Sequence, residues 1–414
     1  MRIIHAARRV LNAAKARLVG NWAELVLRRH LQRHPSAVRS GIVLIAAPGG
    51  GNLGDQAMLE TFLDQTRGTT VSIVVPSASS ISLDRPDATL IELPHLTHGR
   101  GIGHIRDMRA FGRVLETAAQ VFMVGADVMD GAYSPHASVV RWRILRAASD
   151  HGVSARVLGF SWNSAPTRSA LKQMQLASNS GVTMCARDPM SAERLRRAGS
   201  RTVEDVADIV FLLRREDDDA SAVQEARRLR DQHRKIALVN ASGLVGSRMD
   251  QVPAYREAIA WLHARGYAIV MLPHVDRGAK GDEWAISEVL AGLDETIPVH
   301  RLGMLSPAAV RSLTQVADIV ISGRMHLAIM SLSNSTLPVV IATQGKVLGL
   351  LTLFGLERLS VEPDTSLSRK LLEAIEYLDA HAARLQDTAD AALPAVIDLA
   401  RRNFESVPVL AEGE

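Results

Sequence analysis

Ile319-Val-Ile-Ser-Gly-Arg-Met-His326 joins an apolar run to a segment with helical spacing. This pattern predicts a strand that turns into a helix at Ser322 and Gly323. Arg324 and His326 then fall in the first helical turn, where free backbone N–H groups and the helix dipole favour anions. The stretch therefore predicts an α/β fold with an anion site at the end of a strand.

A second apolar run, Val339–Ala342, ends shortly before Lys346. If the two strands are neighbours, Lys346 reaches the same sheet edge as Arg324 and His326, because the carboxyl ends of parallel strands lie together. A guanidinium, an imidazole and an ammonium at one edge suit a small, strongly charged anion. Solvated basic residues at ordinary strand ends are the alternative, since short motifs often match by chance.

Strand and helix patterns alternate along most of the chain, and the charge-dense segment Arg214–Ser221 divides them into two sets. Such alternation predicts parallel sheets covered by helices on both faces. We expect two facing Rossmann-like domains, the arrangement called GT-B, with the ligand cleft between them. The predicted parts are a basic helix at 1–34, domains at 35–215 and 220–366, and a helical tail at 367–414 that packs back on the first domain.

The composition narrows the function classes. The sequence pI is about 9.4, but the net charge of the 414 residues is only +4 and aromatic residues make up 4%, so nucleic acid is not an expected partner. The single cysteine, Cys185, excludes a disulfide framework within the chain. No apolar run is long enough to span a bilayer and no signal peptide is evident, so we expect a cytoplasmic protein.

The segment 1–34 is strongly basic, with Glu24 as its only acid, and its apolar residues recur at helical spacing. A helix of this kind suits peripheral contact with an anionic membrane, with Trp22 near the headgroups, at the inner face of the membrane. Packing of its apolar side on the following domain is the alternative, and the sequence leaves both open.

Three motifs in order resemble those of the polysaccharide pyruvyl transferase family. They are Gly51-Asn-Leu-Gly-Asp-Gln-Ala57, Ala186-Arg-Asp-Pro-Met-Ser191 followed by Asp205-Val-Ala-Asp208, and Ser322-Gly-Arg-Met-His326 followed by Lys346-Val-Leu-Gly349. The resemblance covers residues 42 to about 355, which is most of the chain.

The resemblance implies a transferase that moves the pyruvyl group of phosphoenolpyruvate onto a sugar of a polysaccharide or glycolipid precursor, such as an exopolysaccharide of the cell envelope. The product is a cyclic pyruvate ketal, and phosphate is released. His326, Arg324 and Arg187 are the implied catalytic residues, with His326 as general acid. Lys346, Ser322 and Gly323 are implied to bind the donor. No metal or cofactor is expected besides phosphoenolpyruvate, the co-substrate.

The acceptor is expected at loops that follow strands, and a lipid-linked sugar is one option. Asp127 is a candidate to accept a proton from a sugar hydroxyl, or an ordinary residue that shapes the turn. Trp162 is a stacking surface for a sugar ring or a packing residue. For His274 the alternative is a solvated loop histidine. The full set of acceptor candidates is Asn52, Asp55, Asp127, Asn163 and His274.

Two other functions remain open at this stage. One is a nucleotide-sugar-dependent glycosyltransferase of GT-B architecture, although no acidic residue follows Val339–Ala342 to hold a ribose. The other is a non-catalytic sugar- or anion-binding protein of polymer assembly. Such a binder has no need of a proton donor such as His326 beside its basic residues.

Overall fold

In a computed structural model the described residues are 20–35, 39–47, 49–232, 234–276, 278–342, 345–405 and 407. Residues 1–19 of the predicted basic helix lie outside this set. Helix α1 spans 20–33, and its side chains of Ala23, Leu27 and Leu31 are buried against the first domain, whereas Trp22 is 52% exposed. The described part of the segment therefore packs through its apolar face.

The first domain is a parallel sheet of seven strands in the order β3-β2-β1-β4-β5-β6-β7. Its strands are β1 Gly41–Ile45, β2 Val71–Val75, β3 Thr89–Glu92, β4 Ala118–Ala126, β5 Ser154–Phe160, β6 Thr183–Ala186 and β7 Val203–Asp205. Its helices are α2 Leu53–Gln65, α3 Ile102–Leu115, α4 Pro135–Ser149, α5 Arg168–Asn179 and α6 Pro189–Arg197.

The second domain repeats this plan with a parallel sheet of six strands in the order β10-β9-β8-β11-β12-β13. Its strands are β8 Lys235–Asn240, β9 Tyr267–Met271, β10 Val299–Arg301, β11 Ile319–Ser322, β12 Pro338–Ile341 and β13 Ser360–Val361. Its helices are α7 Ser221–Asp231, α8 Gly243–Gly246, α9 Val252–Ala264, α10 Asp282–Leu290, α11 Pro307–Val316, α12 Met325–Ser333 and α13 Lys346–Thr352.

The apolar strands explain why this architecture forms. Side chains along Ile236–Val239 and Val339–Ile341 are 0% exposed, because helices cover both faces of the sheet. In each sheet the strand order reverses beside the first strand, between β1 and β4 and between β8 and β11. Ligands of open parallel sheets bind outside the carboxyl ends of the strands at such reversals. The predicted fold class of two Rossmann-like domains with parallel sheets is confirmed.

The last helix, α14, spans Leu367–Arg401 and has a non-helical residue at His381. Beyond it, the side chain of Asn403 is fully buried against the first domain. Its Oδ1 accepts from the Gly159 N–H at 2.8 Å, and its Nδ2 donates to the Ala207 carbonyl at 2.9 Å. The phenyl ring of Phe404 lies 5.9 Å from that of Phe62. The described part of the tail thus contacts the first domain through Asn403 and Phe404.

Across the described ranges, no helix combines the length and the apolar character needed to cross a bilayer.

Candidate active site

A cavity of about 680 Å³ lies between the two domains. Its walls come from the loops after β1 and β4, from Arg187 after β6, and from the N-terminal turns of α8, α12 and α13. The loops after β1 and β4 and the starts of α8 and α12 follow the strands next to the order reversals, whereas Arg187 and α13 follow strands further along each sheet. The size is that of a pocket for a small molecule or a cofactor.

Backbone contacts between the two domains close one side of the cavity. The Asp276 N–H donates to the Gly51 carbonyl at 2.6 Å, and the Leu53 N–H donates to the His274 carbonyl at 3.1 Å. Gly51 has a φ of +66°, and a Cβ there would lie 1.8 Å from the Asp276 carbonyl oxygen. Only glycine fits this position, because it tolerates both the left-handed backbone and the close approach.

Arg324 is the N-cap residue of α12, and its guanidinium lines the cavity while pairing with the fully buried Asp282. Arg324 Nη2 donates to Asp282 Oδ1 at 2.5 Å, and the same carboxylate accepts from the backbone N–H groups of Gly243 and His274 at 3.0 Å each. Burial alone would raise the pKa of Asp282, but Arg324 and these donors lower it below its usual range. An ionised Asp282 therefore fixes the position of Arg324.

Arg187 is buried after β6 and makes a second such pair, with Asp208. Its Nη1 donates to Asp208 Oδ2 at 2.8 Å and its Nε donates to the Ser161 hydroxyl at 2.9 Å. Burial opposes ionisation of Asp208, yet His326, Arg187 and the Val210 N–H together hold its pKa well below its usual range. The partner of Arg187 is thus Asp208; the neighbouring Asp188 instead caps α6 by accepting from the Ser191 N–H at 2.8 Å.

His326 stands between the two domains. Its Nε2 lies 3.6 Å from Asp208 Oδ2, just beyond hydrogen-bond distance. On the other side its ring touches the start of α2, where a Cβ on Gly54 would lie 2.0 Å from Nδ1. The imidazole thus lines the cavity with the Asp208 carboxylate beside it.

Lys346 begins α13, so it stands at a helix N-terminus as well as near the end of β12. Its Nζ donates to Asp127 Oδ2 at 2.5 Å, and the Tyr133 hydroxyl donates to the same oxygen at 3.1 Å. Burial would raise the pKa of Asp127, but Lys346 first and then Arg187 hold it well below its usual range. This ion pair joins the two domains across the cavity.

The other two residues of the predicted donor set shape the turn. Ser322 is fully buried and does not line the cavity; its hydroxyl accepts from the Arg324 N–H and donates to the Arg324 carbonyl, both at 2.9 Å. Contact between Ser322 and the donor stays a prediction, and in this geometry the side chain is occupied within the turn. Gly323 does line the cavity, and a Cβ there would lie 2.4 Å from the Cβ of Ser242.

Asn52, Asp55, Asp127 and His274 of the predicted acceptor set line the cavity. Asn52 is the N-cap of α2, and its Oδ1 accepts from the Gly54 N–H at 3.1 Å. His274 is 1% exposed, so it is not the solvated loop histidine that the sequence left open. Burial and the neighbouring His326 lower its pKa to about 3, so the ring is neutral. Within the described part of the chain, neither ring nitrogen of His274 has a hydrogen-bond partner.

The loop after β5 departs from the prediction. Trp162 is 1% exposed, and its ring packs 6.2 Å from that of Trp142, so it offers no stacking surface to a sugar. The interpretation of Trp162 as a packing residue holds, because Trp142 of α4 and Phe160 of β5 pack against its ring. Asn163 lies outside the main cavity, in a small recess beside Lys346, where its Oδ1 accepts from the Ala165 N–H at 3.0 Å.

Sequence reasoning missed two residues that matter for the charge of the site. Asp282 belongs to no motif, and nothing near it in the sequence signals that it pairs with Arg324. Arg141 lines the cavity from α4 and is 4% exposed. The sequence does not single out Arg141, because α4 also carries Arg143 and Arg146, and of these three arginines only Arg141 is buried.

One cluster of described residues has metal-ligand chemistry, and it lies outside the cleft. His30 and His34 of the α1 region and Glu116 after α3 have ligand atoms within 4.8 Å of one another. His30 Nε2 is 2.6 Å from the Glu116 carboxylate, so a pairwise hydrogen bond already accounts for part of the arrangement. Cys185 is fully buried in β6, and burial raises the pKa of its thiol to about 12, which suits packing and not nucleophilic attack.

Comparison with known proteins gives one family match and many structural neighbours. The family model for polysaccharide pyruvyl transferase matches residues 52–345. No curated protein matches the chain in sequence.

Among solved structures, a glycosyltransferase from Rickettsia africae has a TM-score of 0.59 and 15% identity, covering 89% of this chain and 98% of its own. The UDP-GlcNAc 2-epimerase from Neisseria meningitidis, bound to UDP-GlcNAc, has a TM-score of 0.56 and 13% identity, covering 88% and 98%. At these identities the similarity concerns the fold alone.

Proposed function

Because the chain belongs to the polysaccharide pyruvyl transferase family, we propose that it transfers the pyruvyl group of phosphoenolpyruvate to a sugar, forming a cyclic ketal and releasing phosphate. The observation that carries this proposal is the convergence of Arg187, Arg324, His326 and Lys346 on one cavity from both domains. The acceptor is a sugar of a polysaccharide or glycolipid precursor.

The donor carries a phosphate and a carboxylate, and both suit guanidinium and ammonium groups. Each basic residue already has an acid partner, but a guanidinium has several N–H donors and the acids use only some of them. Asp208 and Asp282 hold Arg187 and Arg324 in place, and the remaining donors of both guanidinium groups are available to the ligand. Ordered cations in a cavity bind an anion without first losing side-chain freedom.

His326 acts as the general acid. It gives its proton to the methylene carbon of phosphoenolpyruvate, which becomes a methyl group, and positive charge develops at the carbon that bears the phosphate. A sugar hydroxyl attacks that carbon and loses its proton, and a second hydroxyl displaces phosphate to close the ketal. The proton of the second hydroxyl leaves with phosphate or solvent. Asp208 places a negative charge 3.6 Å from Nε2 of this imidazole.

The acceptor lies against the first domain, where Asn52, Asp55 and Asp127 line the cavity. Asp127 stays ionised because Lys346 lowers its pKa, so it accepts hydrogen bonds from sugar hydroxyls and is a weak base. The neutral ring of His274 offers a hydrogen bond without adding charge.

The test replaces His326 with Gln and measures phosphate release from phosphoenolpyruvate with a panel of sugars. We expect turnover to fall by about 100-fold or more, the usual contribution of general acid catalysis, while donor binding changes by only a few-fold. His300→Gln is the matched control, because His300 is a partly exposed histidine outside the cavity.

Full phosphate release by His326→Gln would contradict the proposed role of this residue. Protection of the wild-type fold by a UDP-sugar and not by phosphoenolpyruvate would favour the alternative function, a nucleotide-sugar-dependent glycosyltransferase.

A further inference from the structure

Arg141 differs from every other basic residue named so far in the cavity. It is 4% exposed, and within the described residues no carboxylate raises its pKa, which burial lowers to about 10. Arg187, Arg324 and Lys346 instead each have an acid within 2.8 Å. Arg141 is therefore the buried cation of this cavity whose charge has no acid to balance it.

The described groups on the same wall as Arg141 are an imidazole and two hydroxyl groups. His98, on the loop between β3 and α3, lines the same cavity. The pKa of His98 is lowered by partial burial, then by Arg141 and His136, which shows that these groups are close enough to repel one another. Tyr133 and Ser134, at the start of α4, bring hydroxyl groups to the same wall.

A buried cation without a partner is costly, so its environment is completed when an anion binds. The position of Arg141 indicates which substrate carries that anion. Arg141 lies on α4 and His98 follows β3, both in the first domain, whereas Arg324, His326 and Lys346 come from the second. In the proposed function Arg187, Arg324, His326 and Lys346 bind the donor, which leaves Arg141 to the acceptor.

We propose that Arg141, flanked by His98, binds an anionic group carried by the acceptor sugar, either a phosphate or a carboxylate. The assignment of this ligand as the acceptor rests on the proposed function. The existence of the anion subsite does not depend on pyruvyl transfer. The acceptor class is thus a sugar phosphate, including a sugar linked through phosphate to a lipid, or a sugar acid.

The test measures binding to the full chain by titration calorimetry, without phosphoenolpyruvate. Glucose 1-phosphate, glucuronic acid and glucose are the ligands, so the two charged arms separate phosphate from carboxylate recognition. We expect the preferred charged sugar to bind at least about tenfold more tightly than glucose, the effect of one charge-assisted hydrogen bond. Arg141→Gln should abolish that preference and leave glucose binding unchanged.

Two further variants test whether an effect of Arg141→Gln is specific to this position and to the charge of its side chain. Arg143→Gln changes a neighbouring arginine of α4 that lies near Glu24, outside the cavity, and should bind as the wild type does. Arg141→Lys keeps the charge and should retain part of the preference. Because Arg141→Gln removes a buried unpaired charge, its Tm should equal or exceed the wild-type value, which separates lost binding from lost folding.

Equal binding of the charged and neutral sugars by the wild type, or an unchanged preference in Arg141→Gln, would overturn the subsite. Loss of phosphoenolpyruvate binding in Arg141→Gln with sugar preference intact would also overturn it and assign Arg141 to the donor. Failure of pyruvyl transfer with every sugar, while the Arg141-dependent preference persists, would reject the proposed function and leave the anion subsite standing.

Discussion

At the residue scale, charge balance decides what each basic side chain does. Arg187, Arg324 and Lys346 were predicted from motif and strand position, and the structure adds an acid for each. These acids convert long, mobile cations into fixed ones. Among the described residues Arg141 has no such acid, so it adds a positive charge to the cavity that no carboxylate beside it offsets.

The Arg187–Asp208 pair predicts a dependence of stability on pH. Asp208 has a pKa lowered below that of the unfolded chain, about 3.9, so its contribution is present above that value and is lost as pH falls towards the folded pKa. Asp208→Asn leaves a buried guanidinium unpaired, which typically costs about 3–5 kcal/mol. Thermal unfolding should therefore show a large gap in Tm between variant and wild type near about pH 7 that narrows below about pH 4.

A suitable comparison is Asp218→Asn, which removes a half-exposed partner of Arg227 and should change stability by less than about 1 kcal/mol. If the gap for Asp208→Asn stayed the same down to acid pH, the pairing described above would be incorrect.

At the element scale, the start of α2 and the start of α12 approach each other so closely that glycine is required. Alanine normally stabilises a helix over glycine by about 1 kcal/mol. At Gly54, however, the added Cβ would lie 2.0 Å from His326 Nδ1 and displace the ring. Gly54→Ala should keep the fold but lower turnover by about 100-fold, the order expected when a catalytic group moves by about 1 Å.

Turnover and a circular dichroism spectrum measured on the same preparation check this. Gly303→Ala serves as the control, because a Cβ at Gly303 meets nothing within 4 Å. Wild-type turnover in Gly54→Ala would show that His326 does not need its observed position.

Some strands and loops could be predicted from the sequence and others could not. Fully apolar runs such as Ile319–Ile321 reveal strands because both of their faces are buried, and the glycine motifs mark the turns that follow. The strands β7 and β13 were not predicted, since they are short edge strands with partly exposed residues. The sequence left Trp162 open as a stacking surface or a packing residue, because the position of a residue in a loop does not show whether its side chain is buried.

The site was predictable only in part, for a related reason. Arg324 and His326 belong to a local motif, but Asp282, which holds Arg324, is 42 positions away in the sequence. Such a contact arises from the order of the strands, and no residue near Asp282 encodes it. Arg141 was overlooked because a cation in a helix is normally solvated, and only the packing of α4 shows that this one is buried.

At the scale of the whole molecule, the C-terminal segment ties the two domains together. Asn403 makes hydrogen bonds to Gly159 and Ala207 of the first domain after α14 has crossed the second. Asn403→Ala leaves buried backbone groups without partners, at about 1–3 kcal/mol for each. Tm should fall by several degrees, and because the ends of both domains build the cavity, affinity for phosphoenolpyruvate should weaken as well.

The control is Arg402→Ala, because the side chain of Arg402 is exposed and only its backbone carbonyl accepts from Arg156 at 3.1 Å. Equal Tm values for the two variants would mean that the tail does not hold the domains together.

The central claim is that this cavity protonates phosphoenolpyruvate and transfers its pyruvyl group to a sugar. The most direct measurement is mass spectrometry and NMR of the sugar product after reaction in deuterated water. The account predicts a ketal whose methyl group carries one solvent deuterium, formed together with phosphate and lost in His326→Gln. A ketal without deuterium in its methyl group, or deuterated product formed equally well by His326→Gln, would contradict it.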